Sequence, residues 1–260
     1  MNNLEGRIAL VTGCLGGLGA QTCRRLAEVG AAVVGADIAE ADEGWAREVG
    51  ALRYLRLDVT SEADWAGVAA EMDRAHGRLD ILVHNAGVVA INPISETSLA
   101  EWRQVMAVNV DGPFLGTRAL LPLLRGAGAQ TPFGASVVVI SSVAGIVGTR
   151  FCAAYGASKG AARLFAKAAA VEFAALRHPI RVNSVHPGVV QTPMVDHIFE
   201  RYVEAGLYPS VDEGRRRTAR AMGGLAAPDD IAKAVRFLAS DEAGHMNGAE
   251  LVVDGGFTAA

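Results

Sequence analysis

Seven apolar runs of strand length recur along the chain, at residues 7–11, 32–36, 52–57, 81–84, 136–140, 181–185 and 250–253. Their Val, Ile and Leu content carries no polar alternation, which is the pattern of strands buried on both faces of a parallel sheet. Helical patterns fit between them, at 17–29, 39–49, 61–75, 98–112 running on to 124, 152–175 and 228–238. Strand and helix alternating this often, with right-handed crossovers, predict an α/β fold: a seven-stranded, doubly wound parallel sheet with helices on both faces. With 260 residues, 51% hydrophobic and 20% charged, the chain can bury one large core, and no repeat, low-complexity tract or linker divides it. A single domain over residues 1–260 is expected.

Composition removes several classes of function. A net charge of −4 gives no nucleic-acid footprint. The longest helical apolar stretch, 161–176, is interrupted by Arg163, Lys167 and Glu172, so no membrane span or membrane partner is expected. The opening MNNLEGR has no apolar core of a secretory signal. Three cysteines, Cys14, Cys23 and Cys152, cannot pair completely and have no CxxC spacing; they read as reduced thiols of a cytoplasmic protein. The six histidines have no spacing that suggests a metal ligand set, so no metal is expected.

The first strand feeds into Thr12-Gly13-Cys14-Leu15-Gly16-Gly17-Leu18-Gly19. Glycines between a strand and a helix let backbone N–H groups approach a pyrophosphate, which then meets the positive end of the helix dipole. The spacing is GxxxGxG, which taken alone also suits a tight turn. Its place after a strand, with Asp37 closing the second strand 24 residues beyond Gly13, makes it a dinucleotide signal. Asp37 is placed to take both ribose hydroxyls of an adenosine half. Neither the turn nor Ile38, Ala39 and Glu40 offers a cation for a ribose 2′-phosphate, so NAD is the expected cofactor.

Other polar residues close the following strands. Asp58, in LDVT, suits an adenine amino group or the neighbourhood of a helix cap. Asn85-Ala86-Gly87 permits close backbone approach to a ligand. Asn109 stands among Val105, Val108 and Phe114, and a buried Asn must be satisfied: it either caps a kink near Gly112 or holds a functional water. Ser142 follows the apolar run ending at Ile140. Tyr155 and Lys159 are four apart and share a face if helical, which sets an ammonium one turn from a phenol. A free phenol titrates near pH ~10, too high for a base at neutral pH, and a neighbouring cation lowers that value.

Taken in order, TGxxxGxG (12–19), Asp58, NAG (85–87), Asn109, Ser142, YxxxK (155–159), PG (187–188) and TPM (192–194) resemble the short-chain dehydrogenase/reductase family over about 250 of the 260 residues. The resemblance implies a Rossmann-type fold and reversible hydride transfer between nicotinamide and a secondary alcohol or ketone. It implies Tyr155 as acid/base, Ser142 as polariser of the substrate oxygen, Lys159 as ribose ligand and phenolate stabiliser, and Asn109 as holder of a relay water. Along the dinucleotide it places Gly13, Leu15, Gly17, Leu18, Gly19, Asp37, Ile38, Asp58, Val59, Asn85, Ala86, Gly87, Tyr155, Lys159, Pro187, Gly188, Val190 and Thr192. His84 departs from the pattern, standing where the family usually has a second Asn. Within the family, residues 180–194, LDVT and GAELVVDGG look most like bacterial 3-alpha/20-beta-hydroxysteroid dehydrogenases. Two other readings are a 3-oxoacyl-(acyl carrier protein) reductase, which should show basic residues for an acidic carrier, and a catalytically silent regulator, which should have lost the Ser/Tyr/Lys set.

Substrate choice is expected in residues 189–224, the longest stretch between the elements above and so the natural lid. Met194, Ile198 and Tyr202 form an apolar stripe at helical spacing that lines either a ligand pocket or a packed interface. With Ser142, Val143, Cys152, Tyr155 and Val189 they make up the expected substrate contacts, suited to an alicyclic, terpenoid or steroid-like alcohol. Arg215, Arg216 and Arg217 are either a solvated run or an anion site. The alanine-rich side of 152–175, together with the family's habits, points to a homotetramer.

Overall fold

The computed structural model describes residues 4–41 and 44–259. Strands β1 (Ile8–Thr12), β2 (Ala32–Asp37), β3 (Arg53–Arg56), β4 (Ile81–His84), β5 (Ala135–Ile140), β6 (Ile180–Pro187) and β7 (Glu250–Val253) form one seven-stranded sheet in the order β3-β2-β1-β4-β5-β6-β7. Every pairing is parallel. The helices are α1 (Gly17–Ala27), α2 (Trp45–Val49), α3 (Glu62–His76), α4 (Leu99–Met106), α5 (Gly112–Gly128), α6 (Ala153–Ala175), α7 (Pro193–Glu204), α8 (Val211–Ala221) and α9 (Pro228–Ala239).

Burial on both faces follows from the apolar runs. Leu10, Leu82, Val137 and Val182 face one side and pack with Trp65 of α3, Leu120 and Leu124 of α5 and Phe173 of α6. Their neighbours Val11, Val33, Val83 and Val138 face the other side, against Leu26 of α1 and Val235 and Leu238 of α9. Successive strand residues thus serve two separate cores, so a polar residue in either register would be buried.

Three expectations change. Of the helix expected at 39–49 only Trp45–Val49 forms, between Gly44 and Gly50, the latter at φ 68°; positions 42 and 43 lie outside the described residues. The helix expected from 98 to 124 is interrupted by a π turn, Ala107–Asp111, before α5 begins at Gly112. The expected lid segment, in which only the stripe from Met194 to Tyr202 has helical spacing, forms two helices, α7 over that stripe and α8 beyond it, each begun by Thr192 or Ser210 in extended conformation.

His84 closes β4 with its side chain 3% exposed. Its Nε2 lies 2.9 Å from Thr117 Oγ1, and its ring stands edge-on to Trp65 at 6.2 Å. The space comes from α5: a Cβ on Gly116 would stand 2.5 Å from the Trp65 ring and 2.8 Å from the His84 ring. Burial pushes the His84 imidazole down to about 3. The unfolded chain therefore binds a proton between the ordinary histidine value and pH 3 that the folded chain refuses, so stability is present above the ordinary value and lost as pH falls. His84→Asn should flatten the acid limb of stability in this window by about 1.4 kcal/mol per pH unit relative to the parent. Thermal melts from pH 7 to 4 measure it, and superimposable pH dependences for the two proteins would refute it.

Candidate functional site

The strand order reverses between β1 and β4, and the crevice beyond their carboxyl ends is where open α/β sheets bind ligands. A cleft of about 1140 Å³ opens there. The turn after β1 is built by β4: Thr12 Oγ1 accepts from the Asn85 and Ala86 N–H groups at 3.1 Å each, and Asn85 Nδ2 donates to the Thr12 and Gly13 carbonyls at 2.9 and 3.0 Å. Asn85 thus spends both amide hydrogens on the glycine turn. Gly13 takes φ 65°, and a Cβ on Gly19 would collide with the Gly13 carbonyl, so α1 is seated directly against the turn.

The opposite side of the turn is open. Gly16 precedes α1 with no side-chain cap and no acidic residue in the first turn. A Cβ on Gly17 would meet nothing nearer than Thr192, at 3.6 Å. The free N–H groups of an uncapped helix facing a cleft fit the phosphates of a dinucleotide. Asp37 closes this end: Oδ2 accepts from Leu15 N at 3.0 Å and Oδ1 from Ile38 N at 2.8 Å. Its carboxylate is thereby oriented at the mouth of the turn. Asp58 also faces the cleft, with Oδ1 accepting from Thr60 N and Oγ1 at 2.9 and 2.7 Å, so the cap-like reading accounts for its bonds.

At the other end stand the hydroxyl, phenol and amine. Lys159 is 5% exposed; its Nζ donates to the Ile140 carbonyl at 2.9 Å and lies 5.6 Å from the centre of the Tyr155 ring. Ser141 Oγ donates back to the Lys159 carbonyl at 2.8 Å, so β5 and α6 are cross-tied where Ser142 follows. Ser142 Oγ accepts from Ala144 N at 3.1 Å, and Ser142 and Tyr155 both line the cleft. The expectation that Lys159 lowers the phenol is not met in this structure. Burial pushes Tyr155 up to about 12, only partly offset by Ser142, and burial pushes Lys159 down to about 8. Desolvation disfavours the charged form of each. The pair is therefore tuned toward a neutral phenol that can donate a proton.

Asn109 sits in the π turn, 2% exposed and away from the cleft lining. Its Oδ1 accepts from Val88 N, and its Nδ2 donates to the Val88 carbonyl and to Ser158 Oγ, all at 2.9 Å. Ser158 in turn donates to the Tyr155 carbonyl at 2.7 Å. Both amide hydrogens are used, so the kink reading fits, and no amide hydrogen is left for a water.

Every other residue anticipated from the sequence lines the cleft, including Val59, Gly87, Val143, Gly188, Val189 and Val190. Met194, Ile198 and Tyr202 do too, which places the α7 stripe on the cavity. Tyr202 forms an edge-to-face trio with Phe199 and Tyr208, ring centres 6.1 to 6.5 Å apart. The Tyr202 hydroxyl donates to the Arg150 carbonyl at 3.2 Å, leaving the Cys152 thiol, 3.4 Å away, to donate to it. Arg215 pairs with Asp196, and Arg216 and Arg217 both pair with Glu213; of the three, Arg217 also lines the cavity. Gln104, Tyr208, Met222 and Phe257 also line the cavity. Gln104 lies in the helix expected at 98–112 and Tyr208 and Met222 in the expected lid, but no motif singles out these residues or Phe257.

A family model described as enoyl-(acyl carrier protein) reductase matches residues 13–258. The chain is 41% identical over 266 aligned residues to a cyclopentanol dehydrogenase of Comamonas sp., with 100% of both chains covered. It is 37% identical to an NADP-dependent (R)-specific alcohol dehydrogenase of Lentilactobacillus kefiri, covering 99% of each. A 3-alpha-(or 20-beta)-hydroxysteroid dehydrogenase of Mycobacterium tuberculosis is 39% identical, covering 98% of this chain and 91% of the relative. The ligand-free aldohexose dehydrogenase of Thermoplasma acidophilum superposes with a TM-score of 0.85 at 27% identity, over 99% of this chain and 96% of that one.

The Asn109 bonds generate a stability prediction. Asn109→Leu strands the Val88 N–H and carbonyl and the Ser158 hydroxyl, and should destabilise the fold by about 1–3 kcal/mol. Urea denaturation reads this as a lower midpoint; an unchanged midpoint would mean these bonds do not hold the turn.

Proposed function

The chain belongs to the short-chain dehydrogenase/reductase family, and from that premise we propose that it is an NAD-dependent oxidoreductase interconverting a secondary alcohol and a ketone on an apolar, alicyclic, terpenoid or steroid-like substrate. The observation that carries this reading is the meeting of Ser142, Tyr155 and Lys159 in one apolar cleft, with the Lys159 amine 5.6 Å from the centre of the Tyr155 ring. A bound nicotinamide would supply or accept the hydride.

The protein's own residues handle the proton and the oxygen. In reduction Tyr155 gives its phenolic proton to the carbonyl oxygen; in oxidation the same oxygen atom takes the hydroxyl proton back. Ser142 donates its O–H to the substrate oxygen, its acceptor side being taken by the Ala144 N–H. Lys159 keeps an ammonium near the phenol ring and directs donors other than the one on Ile140 toward a ribose. Gly13, Gly16 and Gly17 receive the phosphates, and Asp37 takes the adenosine ribose. Pro187, Gly188 and Thr192 bound the nicotinamide side. Val143, Val189, Met194 and Ile198 surround the apolar body of the substrate. The names of the cyclopentanol and hydroxysteroid relatives agree with a ring alcohol. Residues 189–224 act as the lid of one catalytic domain, and the buried unpaired thiols suit a reducing cytoplasm.

Three outcomes test this reading. Tyr155→Phe should abolish turnover of cyclopentanol while NADH binding, followed by fluorescence, stays nearly intact; more than about a tenth of the parent rate would remove Tyr155 from the proton transfer. A 2′-phosphate would meet the Asp37 carboxylate as a like charge. NAD should accordingly exceed NADP by roughly a hundredfold in kcat/KM, since each factor of ten needs only about 1.4 kcal/mol, and Asp37→Ala should lose most of that margin. Equal kcat/KM for the two cofactors would undo the assignment. For assembly, the alanine-rich side of α6 expected to face outward is corrected, since Ala162 and Ala169 pack in the core. It is Leu164 and Val171 that stand 65% and 71% exposed on α6, and a tetramer should appear by light scattering at micromolar concentration, whereas a monomeric mass would contradict it.

A further inference from the structure

The turn after β7 reaches back over the cleft. Asp254, 9% exposed, accepts from Gly256 N at 2.9 Å, Thr258 N at 2.8 Å and Thr258 Oγ1 at 2.7 Å, which folds residues 254–258 on one carboxylate. Gly255 takes φ 64°, and a Cβ there would collide with the Met222 carbonyl at the end of α8. On the other side Gly188 N donates to the Val253 carbonyl at 2.9 Å, and a Cβ on Gly188 would stand 3.0 Å from Asp254 Cα and 3.1 Å from Met222 Cε. The turn is therefore wedged between the Pro187–Gly188 corner and the end of α8, with no slack on either side.

Phe257 rides on that turn. It lines the same cleft as Ser142 and Tyr155, yet 36% of it is exposed, a large apolar side chain left partly in water. An aromatic ring held by a rigid, hydrogen-bonded turn at the edge of an apolar cavity is pre-ordered for a ligand and loses little entropy on contact. We propose that Phe257 is a specificity-determining residue whose ring grips the apolar body of the substrate, and that Asp254 is the positioning residue that holds it there. This rests on the oxidoreductase reading above for its substrate, and on the geometry alone for its binding surface.

The test uses the full-length enzyme with Phe257→Ala, Phe257→Leu and Asp254→Ala, each with cyclopentanol and NAD for kinetics, NADH fluorescence for cofactor binding, and the thermal shift given by cyclohexanone in the presence of NADH. Phe257→Ala should raise KM about tenfold at a kcat within about threefold, with NADH affinity unchanged. Phe257→Leu should restore most of the KM, and Asp254→Ala should reproduce the alanine phenotype. KM within twofold of the parent in both alanine variants overturns the proposal, as does a loss of kcat at constant KM or an equal weakening of NADH. A changed light-scattering mass with KM unaltered overturns it too, since the ring would then be covered by another copy. If the parent turns over no ring alcohol, the activity reading falls while the thermal shift still decides: a shift by cyclohexanone that Phe257→Ala abolishes sustains the wall. A parent that gives no shift overturns it.

Discussion

The bond from Lys159 Nζ to the Ile140 carbonyl is the joint on which the site is hung. It joins the last residue of β5 to the first turns of α6, and the Ser141 hydroxyl closes the same joint from the other direction. A buried ammonium is costly unless hydrogen-bonded, so the amine and the strand end cannot drift apart without exposing an unsatisfied charge. Ser142 and Tyr155 then face each other because one follows the strand and the other lies one turn before the lysine. Removing the bond would loosen the strand, the helix and the reacting groups together.

The same burial that fixes Lys159 sets the electrostatics. Tyr155 and Lys159 move in opposite directions, each toward its neutral form, because both leave water. A neutral phenol suits proton donation. Behind this pair Asn109 and Ser158 join the chain after β4 to the Tyr155 backbone, so the helix that carries the phenol is braced from two strands. Helix α7 is braced in its turn, with the Tyr202 hydroxyl donating to the Arg150 carbonyl and its ring set against Phe199 and Tyr208.

What could be read from the sequence was local. Apolar runs without alternation determine strands covered on both faces, and the glycine turn followed by an acid at the next strand end determines a nucleotide crevice, because both depend on residues near one another in the chain. Tyr155 and Lys159 share a face because helical geometry sets residues four apart on one side. The long helix through Asn109 and the end of the segment from 189 to 224 were read less well: the stripe of Met194, Ile198 and Tyr202 marked α7, but a π turn and α8 depend on what they pack against, which no periodicity recorded.

Only the tertiary structure decided the rest. His84 is neutral and accommodated because Gly116 of a distant helix leaves it room. Asn85 and Asn109 bond protein groups far away in the sequence. Tyr155 is raised because desolvation by the surrounding fold outweighs the lowering influence of Ser142. Tyr208 and Phe257 reach the cavity because α8 and the turn after β7 close over it. Each of these depends on distance and burial between segments remote in the chain, and those quantities come into being only when the sheet is assembled.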